Sequence, residues 1–242
     1  MTWSIVARDA STGAFGVAVT TKAFAVGALC PWVSSGVGAV STQALVNQTY
    51  GPRGLRLLGE GVPADDVLRL LLAADDGRDH RQVHAIDAAG RIAQHTGVAC
   101  GDWAGHLAEP SRHVSVAGNL LAGPQVVADT LATYLDNLDR PFGERMMLAL
   151  EAGQRAGGDR RGRQSAAMRI HTTEEYADLD LRVDDHEVPL VELRRLWEMS
   201  QGRPKIFRSF LATKANPAGV FDRAVIDAAI AEWEAAQAAA AK

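Results

Sequence analysis

Residues that reveal several common chemistries are scarce in this chain. Only two cysteines, Cys30 and Cys100, occur among its 242 residues, and they lie too far apart for a CxxC metal or redox motif. We therefore expect both to be reduced residues of the core, without a disulfide framework. Walker A, GxGxxG, GxSxG and HExxH sequences are also missing. The sequence accordingly predicts no cofactor.

Long apolar runs and an excess of positive charge are missing as well. No run approaches the roughly 18 apolar residues of a membrane-spanning helix. Arg8 and Asp9 interrupt the first apolar run before the core of a signal peptide would form. The net charge is −4, and no stripe of lysine and arginine interleaved with aromatic residues occurs. We expect a cytoplasmic protein that binds neither nucleic acid nor membranes.

The composition that is present is that of a globular protein, with 47% hydrophobic and 22% charged residues. This is enough to bury one sizeable core, so we predict one domain over residues 1–199. Residues 200–242 form a predicted extension, in which the alanine-rich segment Phe221 to Ala240 favours a helix. Its apolar stripe is expected to pack on the body or on a second subunit, and a homodimer is the expected assembly.

The hydrophobic pattern alternates between strand pairs and helix pairs. Turn residues between short β-branched runs predict hairpins, and leucines spaced by three and four residues predict helices. The predicted strands are Ser4 to Arg8, Gly13 to Thr20, Gly36 to Ser41, Gln82 to Asp87, Arg91 to Thr96, His113 to Val116, Ser165 to His171 and Leu179 to Val183. The predicted helices are Pro52 to Gly59, Ala64 to Ala74, Pro124 to Leu138, Gly143 to Ala156 and Pro189 to Met199. This order predicts an α+β fold with antiparallel sheets, as either a two-sheet sandwich between helical layers or a two-layer fold.

Thr2 is the first candidate catalytic residue. Methionine aminopeptidase can remove Met1 before a small residue, which would leave Thr2 as the N-terminus. A free threonine carries a hydroxyl nucleophile together with an α-amine of pKa ~7.7–8.0, which is a suitable base near neutral pH. The alternative is an ordinary second residue that follows a retained methionine.

Two further positions suit roles beside Thr2. Lys22 follows the second strand, where a cation would lower the pKa of the Thr2 amine, or is simply a solvated lysine. Gly118 and Asn119 lie between a strand and a helix, where a backbone N–H and a side-chain amide would stabilise an oxyanion. A strand-to-helix turn capped by the asparagine is the alternative for this pair.

The densest polar cluster is the segment from Gly157 to Ser165. It contains Asp159, Arg161, Gln164 and Ser165, and arginine side chains bind carboxylates through two parallel hydrogen bonds. The cluster therefore predicts either recognition of an acidic substrate group or a turn closed by an Asp159–arginine ion pair.

Asp184, Asp185 and His186 stand together at a strand end, and such side chains are common metal ligands. No further ligand occurs at a usable spacing, so we place Asp185 and His186 in a polar network near the Gly157 to Ser165 segment instead. We predict no metal site.

Several motifs in a fixed order resemble one known family. These motifs are Thr2 to Asp9, Gly16 to Val19, Ser41 to Ala44, Tyr50 to Gly54, Gly118 to Gly123 and Gly157 to Ala167. Over roughly Thr2 to Met199 the chain resembles a bacterial family of unknown function that is grouped with the N-terminal-nucleophile (Ntn) hydrolases. The resemblance implies a four-layer αββα sandwich and, by superfamily analogy, hydrolysis of an amide bond. It also implies that Thr2 is the nucleophile and that Lys22 is the cation at the end of the second strand.

These observations combine into one hypothesis. Thr2 attacks the carbonyl of a small amide or ureido substrate, Lys22 tunes the Thr2 amine, Gly118 and Asn119 stabilise the oxyanion, and Asp159 orients the amine. The candidate substrate-binding residues are Gln43, Arg161, Gln164, Ser165, Asp185 and His186. A catalytically silent binding protein of the same fold and a metal-dependent hydrolase that uses Asp184, Asp185 and His186 are the alternatives.

Overall fold

The structure is a computed structural model that describes residues 2–240, and it divides into one compact unit that extends to Leu193 and a second that begins at Arg194. In the described residues the strands are β1 (Thr2–Arg8), β2 (Phe15–Thr21), β3 (Pro31–Ser34), β4 (Gly38–Ala44), β5 (Arg81–Asp87), β6 (Ile92–Thr96), β7 (Gly105–Glu109), β8 (Val114–Asn119), β9 (Ser165–His171) and β10 (Leu179–Val183). The α-helices are α1 (Val26–Leu29), α2 (Tyr50–Gly59), α3 (Ala64–Ala73), α4 (Gln125–Asp136), α5 (Phe142–Arg155), α6 (Pro189–Ser200), α7 (Arg203–Arg208) and α8 (Arg223–Ala240).

The strands form two antiparallel sheets in the first unit. One has six strands in the order β10-β9-β2-β1-β8-β7, and the other has four in the order β3-β4-β5-β6. The predicted hairpins β1–β2, β5–β6 and β9–β10 are all present. The predicted α+β class with antiparallel sheets is therefore confirmed.

The two sheets face each other between two layers of helices. Helices α2 and α3 cover the four-stranded sheet, and α4 and α5 cover the six-stranded sheet. An apolar cluster that includes Val40, Leu58 and Leu71 fills the first of these interfaces, and another that includes Val6 and Ile86 lies between the sheets. Of the two architectures predicted from the element order, the structure is the four-layer sandwich.

Strand β1 lies inside the six-stranded sheet and is buried on both faces. Because side chains alternate along a strand, Thr2, Ser4 and Val6 face the four-stranded sheet, whereas Trp3 packs towards α5. A strand that is covered on both sides reads as a continuous apolar run, which explains the sequence from Trp3 to Ala7.

The structure corrects the predicted elements in several places. Strand β4 begins at Gly38 rather than Gly36, because Gly36 has a φ of 69° and lies in the preceding turn. The prediction missed β3 and β7, and both are edge strands of their sheets. Edge strands tolerate prolines and polar residues, so their sequences lack the alternation of a half-buried strand. Strand β8 extends as far as Asn119, three residues beyond the predicted end at Val116.

The second unit contains α7, which the prediction missed, and α8, which begins at Arg223 rather than Phe221. These two helices contact each other. Within residues 2–240, no helix combines the length and the apolar character that crossing a membrane requires.

Candidate functional site

Four polar residues form a row across the six-stranded sheet at the end where β1 begins. In the register of the sheet, Thr2 lies between Asn119 on β8 and Thr21 on β2, and Thr21 lies beside Ser165 on β9. All four are nearly inaccessible, with Thr2 the most exposed at 6%. The strands therefore bring the candidate nucleophile next to Asn119, and they place Ser165, another residue that the sequence singled out, in the same row on the far side of Thr21.

Thr2 is held through both its side chain and its main chain. Its Oγ1 donates to Oγ1 of Thr21 at 3.1 Å, and its carbonyl oxygen accepts from Nε2 of Gln43 and Nδ2 of Asn119, each at 3.4 Å. Contacts from both sheets thus fix its position. Met1, whose removal would free the Thr2 amine, lies outside the described residues.

A network of side-chain amides lies behind Thr2, between the sheets. Gln43 accepts from Ser4 Oγ at 2.7 Å and donates from Nε2 to Gln82 Oε1 at 2.8 Å. Gln82 Oε1 also accepts from Asn119 Nδ2 at 2.8 Å, and Gln82 Nε2 donates to the Gly118 carbonyl at 2.8 Å. Gln43, predicted to bind substrate, is buried in this network, and its direct contact with the candidate nucleophile is to the Thr2 carbonyl.

His84 continues the polar layer and was missed by the sequence analysis. Its Nε2 lies 2.8 Å from Ser4 Oγ, its Nδ1 lies 2.7 Å from Ser115 Oγ, and the residue is fully buried. Burial disfavours the charged imidazolium and, with a smaller contribution from His106, lowers the pKa of His84 to about 3. The imidazole is therefore neutral near neutral pH. Its place in an apolar strand was the available signal, because a polar residue there requires hydrogen-bond partners.

The two ends of the Asn119 side-chain amide differ in their hydrogen bonding. Both acceptors of its Nδ2 group lie within the network, whereas its buried Oδ1 has no hydrogen-bond partner among the residues that the structure describes. Gly118 is tightly surrounded, since a Cβ there would lie 2.4 Å from Leu121 Cδ1 and 2.9 Å from Trp3 Cβ. The oxyanion role of Gly118 and Asn119 remains a prediction.

A small cavity of about 220 Å³ opens beside Asn119. Three of its lining residues have positive φ angles, namely Ala44 at 69°, Gly101 at 60° and Leu120 at 52°. Non-glycine residues rarely adopt this conformation, and such residues cluster at functional sites. The backbone around this cavity is therefore the part of the chain next to Thr2 that departs most from ordinary geometry.

Asp159 organises the loop that the sequence singled out. Its side chain, which is 1% exposed, accepts from the Lys22 main-chain N–H at 2.8 Å and forms an ion pair with Arg161 at 3.1 Å. Lys22 Nζ donates to the Arg163 carbonyl at 3.3 Å. The segment thus contains the turn closed by an Asp159–arginine ion pair, one of the two predicted alternatives. The roles of Lys22 and Asp159 towards the Thr2 amine, and substrate recognition by Arg161, remain predictions.

Gln164, Asp185 and His186 come together, as the polar-network hypothesis supposed. Gln164 Nε2 donates to Asp185 Oδ1 at 3.1 Å, and the His186 N–H donates to the Gln164 carbonyl at 2.8 Å. With Lys22 they line a second cavity of about 340 Å³. Ser165 instead is fully buried, and its Oγ donates to the Ala23 carbonyl at 2.6 Å.

The Asp184 to His186 segment does not gather a metal-binding set. Asp184 pairs with the Arg182 guanidinium at 2.9 Å, and His186 Nδ1 accepts from the Val188 N–H at 3.0 Å. Within residues 2–240, no group of three or more histidine, cysteine, aspartate or glutamate residues is arranged to hold a metal ion. Cys30 and Cys100 are buried free thiols.

Comparison with known proteins gives a family and a fold. A model described as a family of unknown function (DUF1028) matches residues 2–193. The crystal structure of protein SPO2555 from Silicibacter pomeroyi, which carries the same family description, is 27% identical with a TM-score of 0.85, over 92% of this chain and 96% of that one. Anbu (ancestral beta-subunit) from Yersinia bercovieri is 12% identical over 88% of this chain and 99% of its own, but its TM-score of 0.40 is too low to support an argument. Among curated proteins none matches the chain.

Proposed function

The chain belongs to the DUF1028 family of unknown function, and we propose that it is an Ntn-type hydrolase that cleaves a small amide or ureido compound with Thr2 as nucleophile. The observation that carries this proposal is the position of Thr2. It begins an interior strand, is nearly buried, and is fixed by hydrogen bonds to three side chains on three different strands.

Such immobilisation is what nucleophilic catalysis requires. Holding a nucleophile in one geometry removes much of the entropic cost of reaching the transition state. The hydrogen bonds that the Thr2 carbonyl accepts from Gln43 and Asn119, together with the one from its hydroxyl to Thr21, supply this immobilisation.

The reaction proceeds in two steps and requires cleavage of the peptide bond before Thr2. The hydroxyl oxygen attacks the substrate carbonyl carbon while the α-amine takes its proton, and the amine portion of the substrate leaves with that proton. The resulting ester on Thr2 is then hydrolysed by water, which returns the hydroxyl. Deprotonation of the amine near its pKa of ~7.7–8.0 would activate the enzyme as the pH rises through that range.

The space beside the site favours a small substrate. The cavity next to Asn119 is about 220 Å³ and contains few charged side chains, with His80 and Cys100 on its wall. Asn119 Oδ1 lies beside Thr2 in the register and is a buried acceptor in need of a donor, and an amide or ureido N–H is such a donor. This chemistry supports the substrate class predicted from the sequence.

The intact mass of the untagged protein is the first test, because a free Thr2 amine requires loss of the preceding residue. Thr2→Ala and Thr2→Ser then form a matched pair, since both leave a small residue at the terminus. We expect Thr2→Ala to abolish hydrolysis in a panel of small amides and ureido acids, and Thr2→Ser to retain part of it. Equal rates in the wild type and Thr2→Ala, or a blocked Thr2 amine in an active preparation, would contradict the proposal.

A catalytically silent binding protein is the second candidate. The observation that favours it is the cavity of about 340 Å³ lined by Lys22, Gln164, Asp185 and His186, whose polar groups are suited to a ligand. Thr2 lines neither this cavity nor the one of about 220 Å³ beside Asn119. Ligand binding that is unchanged by Thr2→Ala, in a protein that hydrolyses none of the panel, would support this candidate.

A further inference from the structure

A larger cavity lies at the opposite end of β1 from Thr2. It has a volume of about 640 Å³ and is lined by the end of β1, the turn that follows it, the segment before β8 and the start of α5. Pockets for small molecules usually measure roughly 300–1,000 Å³. The cavity is therefore large enough for a metabolite rather than a single ion.

Positive charge dominates its lining. Arg8, Arg112, Arg140 and Arg145 contribute four cations, whereas Asp9 and Asp139 contribute two anions. Arg145 is paired with Asp9, and Arg140 lies 4.0 Å from Asp139. Within residues 2–240, neither Arg8 nor Arg112 forms an ion pair within 4.0 Å, although the Glu109 carboxylate, outside the lining, lies close enough to Arg112 to interact with it electrostatically. The four arginines and two aspartates of the lining leave an excess of two positive charges at the cavity.

Arg145 is an unusual member of the lining because it is only 6% exposed. Its guanidinium pairs with Asp9 and lies 5.3 Å and 5.2 Å from the ring centroids of Tyr134 and Phe142. Its buried Nε nevertheless has no acceptor among the residues that the structure describes. Buried donors are rarely left without a partner, so this atom indicates an acceptor that the protein itself does not supply.

Arg8 and Arg112 line the same cavity as Arg145. Arg8 stacks over Phe15, with its guanidinium carbon 5.9 Å from the ring centroid, which limits the freedom of its side chain. Arg112 belongs to the short 3₁₀ turn Pro110–Arg112 that directly precedes β8. An arginine that is held in place loses less entropy when it binds an anion, and its planar fork matches an oxyanion.

We propose that this cavity binds a small molecule through a doubly charged oxyanion, and that the group is a phosphate monoester. The lining's excess of two positive charges matches a dianion, and a phosphate group offers more acceptor oxygens to several arginine side chains than one carboxylate does. Leu138 and Phe142 add apolar surface to the same wall, where the organic part of the ligand packs.

The site is separate from the proposed hydrolytic centre. Thr2 and Arg8 stand at opposite ends of the seven-residue strand β1, which places them about 20 Å apart. Binding at the arginine cavity therefore does not depend on a free Thr2 amine, and the two proposals fail or succeed independently.

Calorimetric titration of the full-length protein with pyrophosphate and with glycerol phosphate tests the assignment. We expect both to bind at low ionic strength and added salt to weaken them, because exposed charges are screened. Arg112→Ala should weaken binding by about tenfold or more, since a hydrogen bond to a charged group is worth ~1.5–3 kcal/mol. Arg112→Lys should restore only part of the affinity, because lysine keeps the charge but not the fork.

The matched control is Arg69→Ala, which removes an exposed arginine of α3 whose ion pair is with Asp66. It should bind both probes as the wild type does. No binding by the wild type at millimolar probe, or equal affinities for wild type and Arg112→Ala, would overturn the site. Tighter binding of succinate than of glycerol phosphate would overturn the phosphate assignment.

Discussion

The buried imidazole of His84 makes a quantitative prediction about stability and pH. In the folded protein its pKa is lowered to about 3 from the ordinary histidine value of 6.5, because burial penalises the charged form. Between these two values the unfolded chain binds a proton at this position and the folded protein does not. The free energy of unfolding therefore falls as the pH drops below about 6.5, and the loss levels off near pH 3.

The magnitude follows from the two pKa values. Between about pH 7 and about pH 4.5, His84 should contribute a loss of about 2–3 kcal/mol in the free energy of unfolding. Urea unfolding of the wild type and of His84→Gln at these two pH values measures this contribution, because other titrating groups largely cancel in the comparison. The variant should be less stable near neutral pH, since glutamine cannot bridge Ser4 and Ser115 as the imidazole does. Its additional loss at acid pH should be smaller than that of the wild type by the same amount.

His80→Gln is the matched control, because it makes the same substitution at an exposed histidine and leaves the buried imidazole of His84 in place. If His84→Gln is too unstable to measure, a ¹H NMR titration of the wild-type histidines gives the same information. The His84 imidazole should stay neutral, with an unchanged chemical shift, down to about pH 4. The reasoning is refuted if both variants show the same acid loss as the wild type, or if His84 titrates near 6.5 in the folded protein.

Two further predictions concern the backbone and the loop at the site. Gly38→Ala should lower the free energy of unfolding by about 1–3 kcal/mol, because the added Cβ would lie 2.3 Å from the Ile86 carbonyl oxygen. Gly59→Ala is the control, since a Cβ there would lie 3.9 Å from its nearest neighbour, Cγ1 of Val37. Equal melting temperatures for the two variants would contradict this reasoning. Asp159→Asn should lower the free energy of unfolding in urea by about 1–3 kcal/mol, because it weakens the hydrogen bonds that the buried carboxylate accepts from the Lys22 N–H and the Arg161 guanidinium. Asp185→Asn, at an exposed position, should cost little, and the opposite ranking would count against a structural role for Asp159.

The elements that the sequence predicted well are those whose pattern is local. Turn residues between Arg8 and Phe15 predicted the first hairpin, and leucines at helical spacing predicted α2 and α3. The missed strands β3 and β7 are edge strands of four and five residues, and each pairs with the strand that follows it along the chain. Such short stretches contain too few residues to show a clear alternation of their own. Whether such a short segment forms a strand depends on the sheet that it joins, and its own four or five residues do not determine it.

The candidate site also contains residues that the sequence predicted and residues that it did not. Thr2, Asn119 and Ser165 were predicted as separate motifs, and the register of three strand pairs places them in one row. Gln82 and His84 were missed, although both interrupt an otherwise apolar strand. A polar residue in such a strand indicates that a partner exists, but the partner itself lies on another strand and is chosen by the fold.

The two ends of β1 differ in polarity on the face towards the four-stranded sheet, and this difference bears on the proposed site. On the face towards the four-stranded sheet, Val6 packs in an apolar cluster, whereas Ser4 and Thr2 meet hydrogen-bonding side chains. An apolar layer would have stabilised the sandwich without the cost of desolvating these groups, and a polar layer is tolerable only when it is satisfied. The described network satisfies Gln43 and Gln82 and leaves Asn119 Oδ1, the acceptor next to Thr2, without a partner. This unpaired acceptor therefore lies beside the proposed nucleophile, where an N–H group of the proposed amide or ureido substrate would donate to it.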